Sequence, residues 1–240
     1  GNKGEMLAPA FAQATQTADD INVLAGNIVS VCEEYGFDGV DLDWEYPQTE
    51  DGTWKQYEAL MEELSFQLHK TGKALTSAVL GGVTETGEEQ PWARAYSDTA
   101  LSYADWIHIM AYDASSTGQH SSYEFAKGCG DYWKNERGLP PSRIILGVPF
   151  YGRPGFASYR TLTEEFPDAD AYDSISFHGS PIYYNGAATI RKKSEYARDE
   201  LGGIMVWEIT QDSADPDKSL LTLIHTVLNG DYSFSLYQVH

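Results

Sequence analysis

The chain has 240 residues, enough for one large domain or at most two small ones. Its 36 acidic and 16 basic residues give a formal net charge of −20, and such a surface repels nucleic acid and anionic membranes but tolerates a neutral partner. No apolar run approaches the roughly 20 residues that a transmembrane helix needs. The composition therefore excludes nucleic-acid binding and membrane insertion, and it is typical of an ordinary soluble globular protein.

Cysteine and histidine spacing gives no sign of a metal site. Cys32 and Cys129 lie far apart in sequence, and neither belongs to a C-x-x-C pair. Packed thiols are favoured, and one disulfide between them stays open. The six histidines follow no H-E-x-x-H or similar spacing. We predict that the chain uses no metal and no cofactor.

Hydrophobic periodicity predicts helices and strands in alternation along the chain. In chain order, the predicted elements are helix 18–35, strand 39–45, helix 54–71, strand 75–80, a short helix around 100–103, strand 106–112, helix 123–136, strand 144–150, helix 187–201, strand 203–207 and helix 218–228. Residues 151–185 are rich in Gly, Pro, Ser and Tyr and are predicted to be irregular.

This alternation predicts an α/β fold with a parallel sheet covered on both faces. No linker interrupts it, so residues 1–240 are assigned to a single domain. A doubly wound sheet lacks support, because no glycine-rich dinucleotide fingerprint follows a strand. Polar and aromatic residues instead stand at the C-terminal ends of several predicted strands, as in the active site of a (β/α)8 TIM barrel. The barrel is favoured, with about five βα units visible.

The segment DGVDLDWEYP, residues 38–47, has carboxyl groups at every second position, at Asp41, Asp43 and Glu45. Side chains of a strand alternate between faces, so all three point the same way, with successive Cα atoms roughly 7 Å apart. An edge strand with a solvated face is one explanation. Acid–base chemistry is the other, because clustered carboxyl groups with perturbed pKa values concentrate at catalytic sites. The bulky Trp44 favours the second explanation.

Four segments together resemble one enzyme family. DGVDLDWEYP resembles the DxxDxDxE signature of glycoside hydrolase family 18, the chitinase family. WIHIMAYD is similar to the Met-x-Tyr-Asp strand of that family, IILGVPFYGR to its Gly-x-Pro-x-Tyr-Gly-Arg strand, and LGGIMVWE to its last barrel strand. The segments follow in the order that the family has, and the resemblance covers nearly the whole chain.

The resemblance implies a role for each carboxyl group of the row. Glu45 matches the general acid that protonates the glycosidic oxygen. Asp43 matches the acid that orients the acetamido group of the substrate and stabilises an oxazolinium intermediate. Asp41 matches a buried partner that shares a proton with Asp43. Further substrate-binding residues on the matched segments are Met110, Tyr112, Asp113, Tyr151, Arg153 and Trp207.

The implied activity is a retaining glycosidase acting on β-1,4-linked N-acetylglucosamine polymers or oligomers. Because Asp43 and Glu45 come from one side, they cannot easily flank a bond at the 5–5.5 Å spacing of ordinary retaining enzymes. Another group must then attack, and the resemblance implies that it is the acetamido oxygen of the substrate. An endo-β-N-acetylglucosaminidase acting on N-glycans and a non-catalytic or inactive truncated glycan-binding relative stay open. We expect a secreted, periplasmic or cell-surface protein, although the first residues lack the pattern of a signal peptide.

The chain departs from the family pattern in two places. Only 37 residues precede Asp38, so the first three barrel strands are expected to be missing and the sheet to have an open edge. Two outcomes stay open: the chain self-associates through this edge, or it hydrolyses substrate far more slowly than a chain that has the three strands. About fifty residues join Tyr151 to Gly203, too few for the α+β insertion domain that deepens the cleft of processive chitinases.

Overall fold

A computed structural model describes residues 3–230 of the chain, with side chains from residue 7 onward. Its residues form two compact units. The first unit contains residues 3–111 and 128–145, and the second contains residues 112–127 and 146–230. The assignment to a single domain without an insertion domain stays a prediction.

The helices are α1 Lys3–Ala14, α2 Ala18–Tyr35, α3 Thr53–Lys70, α4 Asp98–Ser102, α5 Tyr123–Asp131, α6 Tyr159–Glu165, α7 Ala187–Glu200 and α8 Leu220–Asn229. The strands are β1 Gly39–Leu42, β2 Ala74–Leu80, β3 Trp106–Met110, β4 Ile144–Pro149, β5 Ser174–Phe177, β6 Ser180–Tyr183 and β7 Gly203–Trp207. All five predicted strands and all six predicted helices are present. α1 was not predicted from the sequence. Within residues 3–230, no helix has the length and the apolar character that crossing a membrane requires.

The first unit contains a parallel sheet in the order β1-β2-β3. Among the described residues, β1 pairs with β2 and has no strand on its other side. The register aligns Asp41 with Thr76 on β2, and Ala78 of β2 with His108 of β3. Residues 76 and 78 share a face of β2, so the register brings Asp41 and His108 to the same face of the sheet.

Helix α2 illustrates why the helices of the first unit were predictable. Thr17 caps its first turn, and its side chain and that of Asp20 bind each other's backbone N–H groups in a capping box. The helix ends at Gly36, whose φ of 69° lies in the left-handed region that glycine adopts without steric cost. The predicted bounds of this helix are confirmed at both ends.

Residues 151–185 are not irregular, and that prediction was wrong. They contain helix α6 and an antiparallel hairpin of β5 and β6. His178 and Gly179 join the two strands, both with positive φ, of 49° and 84°. A two-residue turn of this kind is usually marked by Asn-Gly or Asp-Gly, so a histidine in the first position hid the hairpin from sequence reading.

The second unit has its own hydrophobic core, built from β4, α6, α7 and α8 around Phe150, Tyr159, Tyr184 and Leu220, each at most 1% exposed. In this unit the N–H of Phe150, directly after β4, donates to the C=O of Trp207 at 2.8 Å. Both cysteines, Cys32 in α2 and Cys129 in α5, are thiols and are buried. The prediction of packed thiols is confirmed, and the disulfide alternative is not.

Candidate functional site

The acidic row lies at the end of β1 and continues into the segment that follows. β1 ends at Leu42, so the predicted strand 39–45 was too long. The alternation of faces nevertheless persists: Leu42 is 3% exposed and Trp44 is 1% exposed. Asp41 and Asp43 are exposed and Glu45 is half-buried. The three carboxyl groups therefore lie on the face opposite the core, as the spacing predicted.

Trp44 anchors the segment that carries the three carboxyl groups to the core of the first unit. Its ring stacks on Phe11 with centroids 4.9 Å apart and meets the edge of Tyr57 at 6.3 Å. Its backbone C=O accepts a hydrogen bond from the hydroxyl of Tyr96 at 3.1 Å. Truncating a buried aromatic side chain of this size costs about 3–5 kcal/mol. The acids thus extend from a rigid support.

Asp41 contacts side chains of the next two strands of the sheet, β2 and β3. Its Oδ1 accepts a hydrogen bond from the hydroxyl of Thr76 at 2.6 Å and lies 3.0 Å from Nδ1 of His108. The side chain of Asp41 is 39% exposed, so the expectation of a buried aspartate was wrong. His108 is partly buried and contacts the acidic row. Its Nδ1 orients Asp41 from β3.

The carboxyl group of Asp43 has an altered affinity for protons. Its pKa is raised from 3.8 to about 6, first because surrounding protein desolvates the group, then because of the charge of Glu45, and then because of that of Asp41. The side chain is solvent-accessible and yet enclosed by enough protein to lose part of its hydration. Near neutral pH this carboxyl group lies close to the point at which it exchanges its proton.

The raised pKa of Asp43 predicts a stability change that depends on pH. A native pKa of about 6 against 3.8 means that the folded chain holds this proton more tightly than the unfolded chain. The stabilisation from the bound proton is complete below 3.8 and is lost as the pH rises to about 6. We expect Asp43→Asn to raise the urea midpoint at about pH 7.5 and to leave it unchanged at about pH 3.

Asp38→Asn, at an exposed position of the same segment, is the matched control for that measurement and is expected to change the midpoint little at either pH. An equal effect of Asp43→Asn at both pH values would show that the native pKa of Asp43 is not raised.

A second group of predicted residues comes together around Asp113 in the second unit. Oδ1 of Asp113 accepts hydrogen bonds from the hydroxyl of Tyr151 and from Nε of Arg153, both at 2.9 Å. Oδ2 accepts a third from Nη2 of Arg153 at 2.6 Å, which makes the arginine pair bidentate. Tyr112 meets the ring of Tyr151 edge to face, with centroids 6.4 Å apart.

These donors decide the charge of Asp113. Burial acts to raise the pKa of its carboxyl group, but hydrogen bonds from His120, Arg153 and Tyr151 outweigh burial and hold the pKa well below its usual range. Burial and the neighbouring charge of Asp113 raise the pKa of the Tyr151 hydroxyl, which therefore stays a proton donor. Asp113 is a fixed anion with 37% of its side chain exposed.

The remaining predicted residues lie at strand ends. Met110 is the last residue of β3 in the first unit and is partly buried. Trp207 is the last residue of β7 in the second unit and is 44% exposed, an unusual position for an indole ring that only fills a core. In the first unit, Tyr46 stacks on Trp92 with centroids 6.0 Å apart, and Trp92 is 37% exposed.

Sequence reading missed three residues that contact the predicted acids: Thr76 and His108 at Asp41, and His120 at Asp113. Thr76 and His120 lie outside the four segments that carry the resemblance, and His108 lies in WIHIMAYD without a role assigned to it there. The signal for His108 was its spacing of two and four residues from Met110 and Tyr112, which predicts one common face for the three side chains. Within residues 3–230, no group of three or more His, Cys, Asp or Glu side chains is arranged to hold a metal ion.

Comparison with known proteins gives consistent results. The sequence profile of Glycosyl hydrolases family 18 matches residues 1–212. The chain is 26% identical over 269 residues to chitinase A1 of Niallia circulans, a match that covers 84% of this chain and 38% of that protein. The chain thus spans well under half the length of this curated relative.

Solved structures share the fold. A family 18 chitinase from the chitin utilization locus of Flavobacterium johnsoniae superimposes with a TM-score of 0.78 at 31% identity, covering 92% of this chain and 70% of that one. A mutant class V chitinase of Nicotiana tobaccum, solved in complex with NAG4, has a TM-score of 0.74 at 18% identity, covering 94% of this chain and 78% of that one. The predicted α/β fold of the TIM-barrel type, incomplete in this chain, is confirmed.

Proposed function

The chain belongs to Glycosyl hydrolases family 18, and from that membership we propose that it hydrolyses β-1,4-linked N-acetylglucosamine polymers or oligomers. The observation that carries this proposal is the acidic row, in which Asp41, Asp43 and Glu45 lie on the face opposite the core. A carboxyl group whose pKa is raised toward neutrality suits such a site. The NAG4 complex of the Nicotiana chitinase supports the sugar, and a neutral glycan is compatible with a chain of charge −20.

Glu45 is assigned as general acid and base. Asp43 and Glu45 extend from the same face of one segment. This row therefore supplies no second carboxylate that could attack the sugar from the opposite side. Family 18 enzymes are among the substrate-assisted exceptions to the two-carboxylate rule. The acetamido oxygen attacks the anomeric carbon while Glu45 gives its proton to the leaving oxygen. Water then opens the oxazolinium ion and returns a proton to Glu45, with retention of configuration.

Asp43 and Asp41 support the reaction without giving the proton to the leaving oxygen. Asp43 accepts a hydrogen bond from the N–H of the acetamido group and, when ionised, offsets the positive charge of the oxazolinium ion. Its pKa of about 6 allows it to gain or lose a proton during the cycle. Asp41, which Thr76 and His108 hold in place, is the partner with which Asp43 shares that proton.

The second unit supplies substrate contacts. Asp113 is a permanently ionised acceptor that is fixed from several sides and keeps solvent access, which suits a hydrogen bond to a sugar hydroxyl. Trp207 presents an exposed indole face on which a pyranose ring can stack. Tyr112 offers a phenol to the acetamido group. Tyr151 and Arg153 are the other predicted contacts in this unit, and Met110 is a predicted contact in the first unit.

An assay with chromogenic chitobioside and chitotrioside tests the proposed reaction. We expect chromophore release with retained anomeric configuration, read by proton NMR of the first product. Cleavage of an N-glycan core but not of chitotrioside would favour the endo-β-N-acetylglucosaminidase. Binding of chitotriose without cleavage of either substrate would favour a non-catalytic glycan-binding protein. The expected secreted location also stays a prediction.

We further propose that the chain self-associates through β1. Beside β1, which pairs with one strand among the described residues, lies an apolar groove of about 330 Å³. Its lining residues are Asn27, Ile28, Val31, Cys32, Phe37, Gly39 and Val40. Val31 and Phe37 are 48% and 53% exposed. An unpaired strand edge next to an apolar groove is a template for pairing with another chain.

Light scattering after size exclusion tests this association. We expect the mass to rise with protein concentration in the wild-type chain, and Val31→Lys to return it to that of a monomer because a charge in the groove opposes burial. Leu221→Lys, at a 40% exposed apolar position of the second unit, is the control and should leave the association unchanged. A wild-type mass equal to one chain at all concentrations would refute the association.

A further inference from the structure

His120 is buried in the second unit and faces Asp113. Its side chain is fully buried, with 0% exposure. Nδ1 lies 3.2 Å from Oδ1 of Asp113 and 3.3 Å from the backbone N of the same residue. On the other side of the ring, Nε2 lies 3.3 Å from the backbone O of Tyr151. The ring thus lies between Asp113, in the loop after β3, and Tyr151.

The partner of Nε2 determines how the ring is used. A backbone C=O can only accept a hydrogen bond, so Nε2 carries a proton and donates a hydrogen bond to the backbone C=O of Tyr151. Nδ1 then has two possible functions, both directed at Asp113. Without a proton it accepts the backbone N–H of Asp113, and with a proton it donates to the carboxylate. In either state one ring atom acts on Asp113 and the other on Tyr151.

The backbone of Asp113 needs such support. Its φ of 61° lies in the left-handed region, which is uncommon for a residue with a side chain. The N–H of Ala114 donates to the C=O of His120 at 3.0 Å, so His120 also closes the turn through its main chain. Strained conformations of this kind persist where the surrounding structure over-determines them.

We propose that His120 is a positioning residue, which acts through its Nδ1 to aim the Asp113 carboxylate at the sugar. This inference rests on the proposed function, in which Asp113 contacts the substrate. Tyr151 and Arg153 bind the same carboxylate, but His120 alone among these three residues also contacts the backbone of Asp113. A small rotation of a fixed group reduces turnover strongly, because near-attack geometry is lost with displacements of about 1 Å.

Two amide variants separate the two ring nitrogens. In His120→Asn the amide lies where Nδ1 was, so it retains the contact to Asp113 and loses that to Tyr151. In His120→Gln the amide lies where Nε2 was, so the reverse holds. On chromogenic chitotrioside we expect kcat within about threefold of wild type for Asn, and a fall of roughly 10- to 100-fold for Gln with a smaller change in KM. His178→Gln, an exposed histidine of the same unit, should change neither.

A second readout is independent of hydrolysis. Carbon-13 NMR of the Asp113 carboxyl group should show its titration midpoint rising in His120→Gln and staying low in His120→Asn. Equal losses of kcat in both variants, or a larger loss in Asn, would overturn the positioning role and leave His120 as core packing. If the wild-type chain hydrolysed no chitotrioside, the proposed function would fail, and the titration would still decide whether Nδ1 controls Asp113.

Discussion

Glu45→Gln is expected to remove hydrolysis of chromogenic chitobioside, with kcat falling about 10²- to 10⁴-fold. The amide has the size of the carboxyl group and keeps its hydrogen-bonding reach, but it has no proton to give to the leaving oxygen. Binding of chitotriose, measured by calorimetry, should stay within a few fold of wild type. The loss would then lie in kcat and not in KM, as expected when an interaction of the transition state alone is removed.

Glu50→Gln is the matched control for this experiment. It makes the same chemical change five residues along the chain, at an exposed position outside the acidic row. Wild-type turnover in Glu45→Gln would show that the proton comes from another group. A loss of both binding and turnover, together with a lower urea midpoint, would indicate a folding defect, because Glu45 is half-buried.

Asp43→Ala is the second variant with a large expected effect, a fall in kcat of about 10²- to 10³-fold. The carboxylate is proposed to orient the acetamido oxygen and to offset the charge of the oxazolinium ion. Alanine removes both actions. Asp43→Asn keeps a polar group of similar size but no negative charge, so comparison of the two variants separates orientation from charge. Single-turnover kinetics on chitobioside measures the chemical step directly.

A thiazoline analogue of the oxazolinium ion provides the control for Asp43. It should inhibit the wild-type chain competitively and should bind Asp43→Ala more weakly than it binds Glu45→Gln, because only the former has lost the compensating charge. Failure of the analogue to bind the active wild-type chain would argue against attack by the substrate's acetamido oxygen.

The features that the sequence predicted well are those determined by local rules. The alternation of strand faces placed Asp41, Asp43 and Glu45 on one side of the chain, and it holds even where the strand has ended. Hydrophobic periodicity gave the bounds of α2, and the structure places a capping box at one end and Gly36 at the other. Such features depend on neighbours within a few residues, so one segment contains all the information.

The contacts that the sequence did not predict depend on strand register and loop conformation. Thr76 and His108 reach Asp41 only because the parallel pairing aligns Asp41 with Thr76 and Ala78 with His108. His120 reaches Asp113 through a turn that no motif marks. The expectation that Asp41 is buried failed for a related reason, since burial depends on which strands flank β1 and not on the residue pattern within it.

Because Cys32 and Cys129 are buried, their thiols react only when the protein around them opens. Both belong to the first unit, in α2 and α5. A water-soluble alkylating reagent can reach either sulfur only when that unit opens, so the rate of labelling follows the free energy of that opening whenever closing is faster than alkylation. Alkylation of Cys32, whose thiol contacts the backbone O of Gly39 at the start of β1, therefore reports how firmly the support of the acidic row is held.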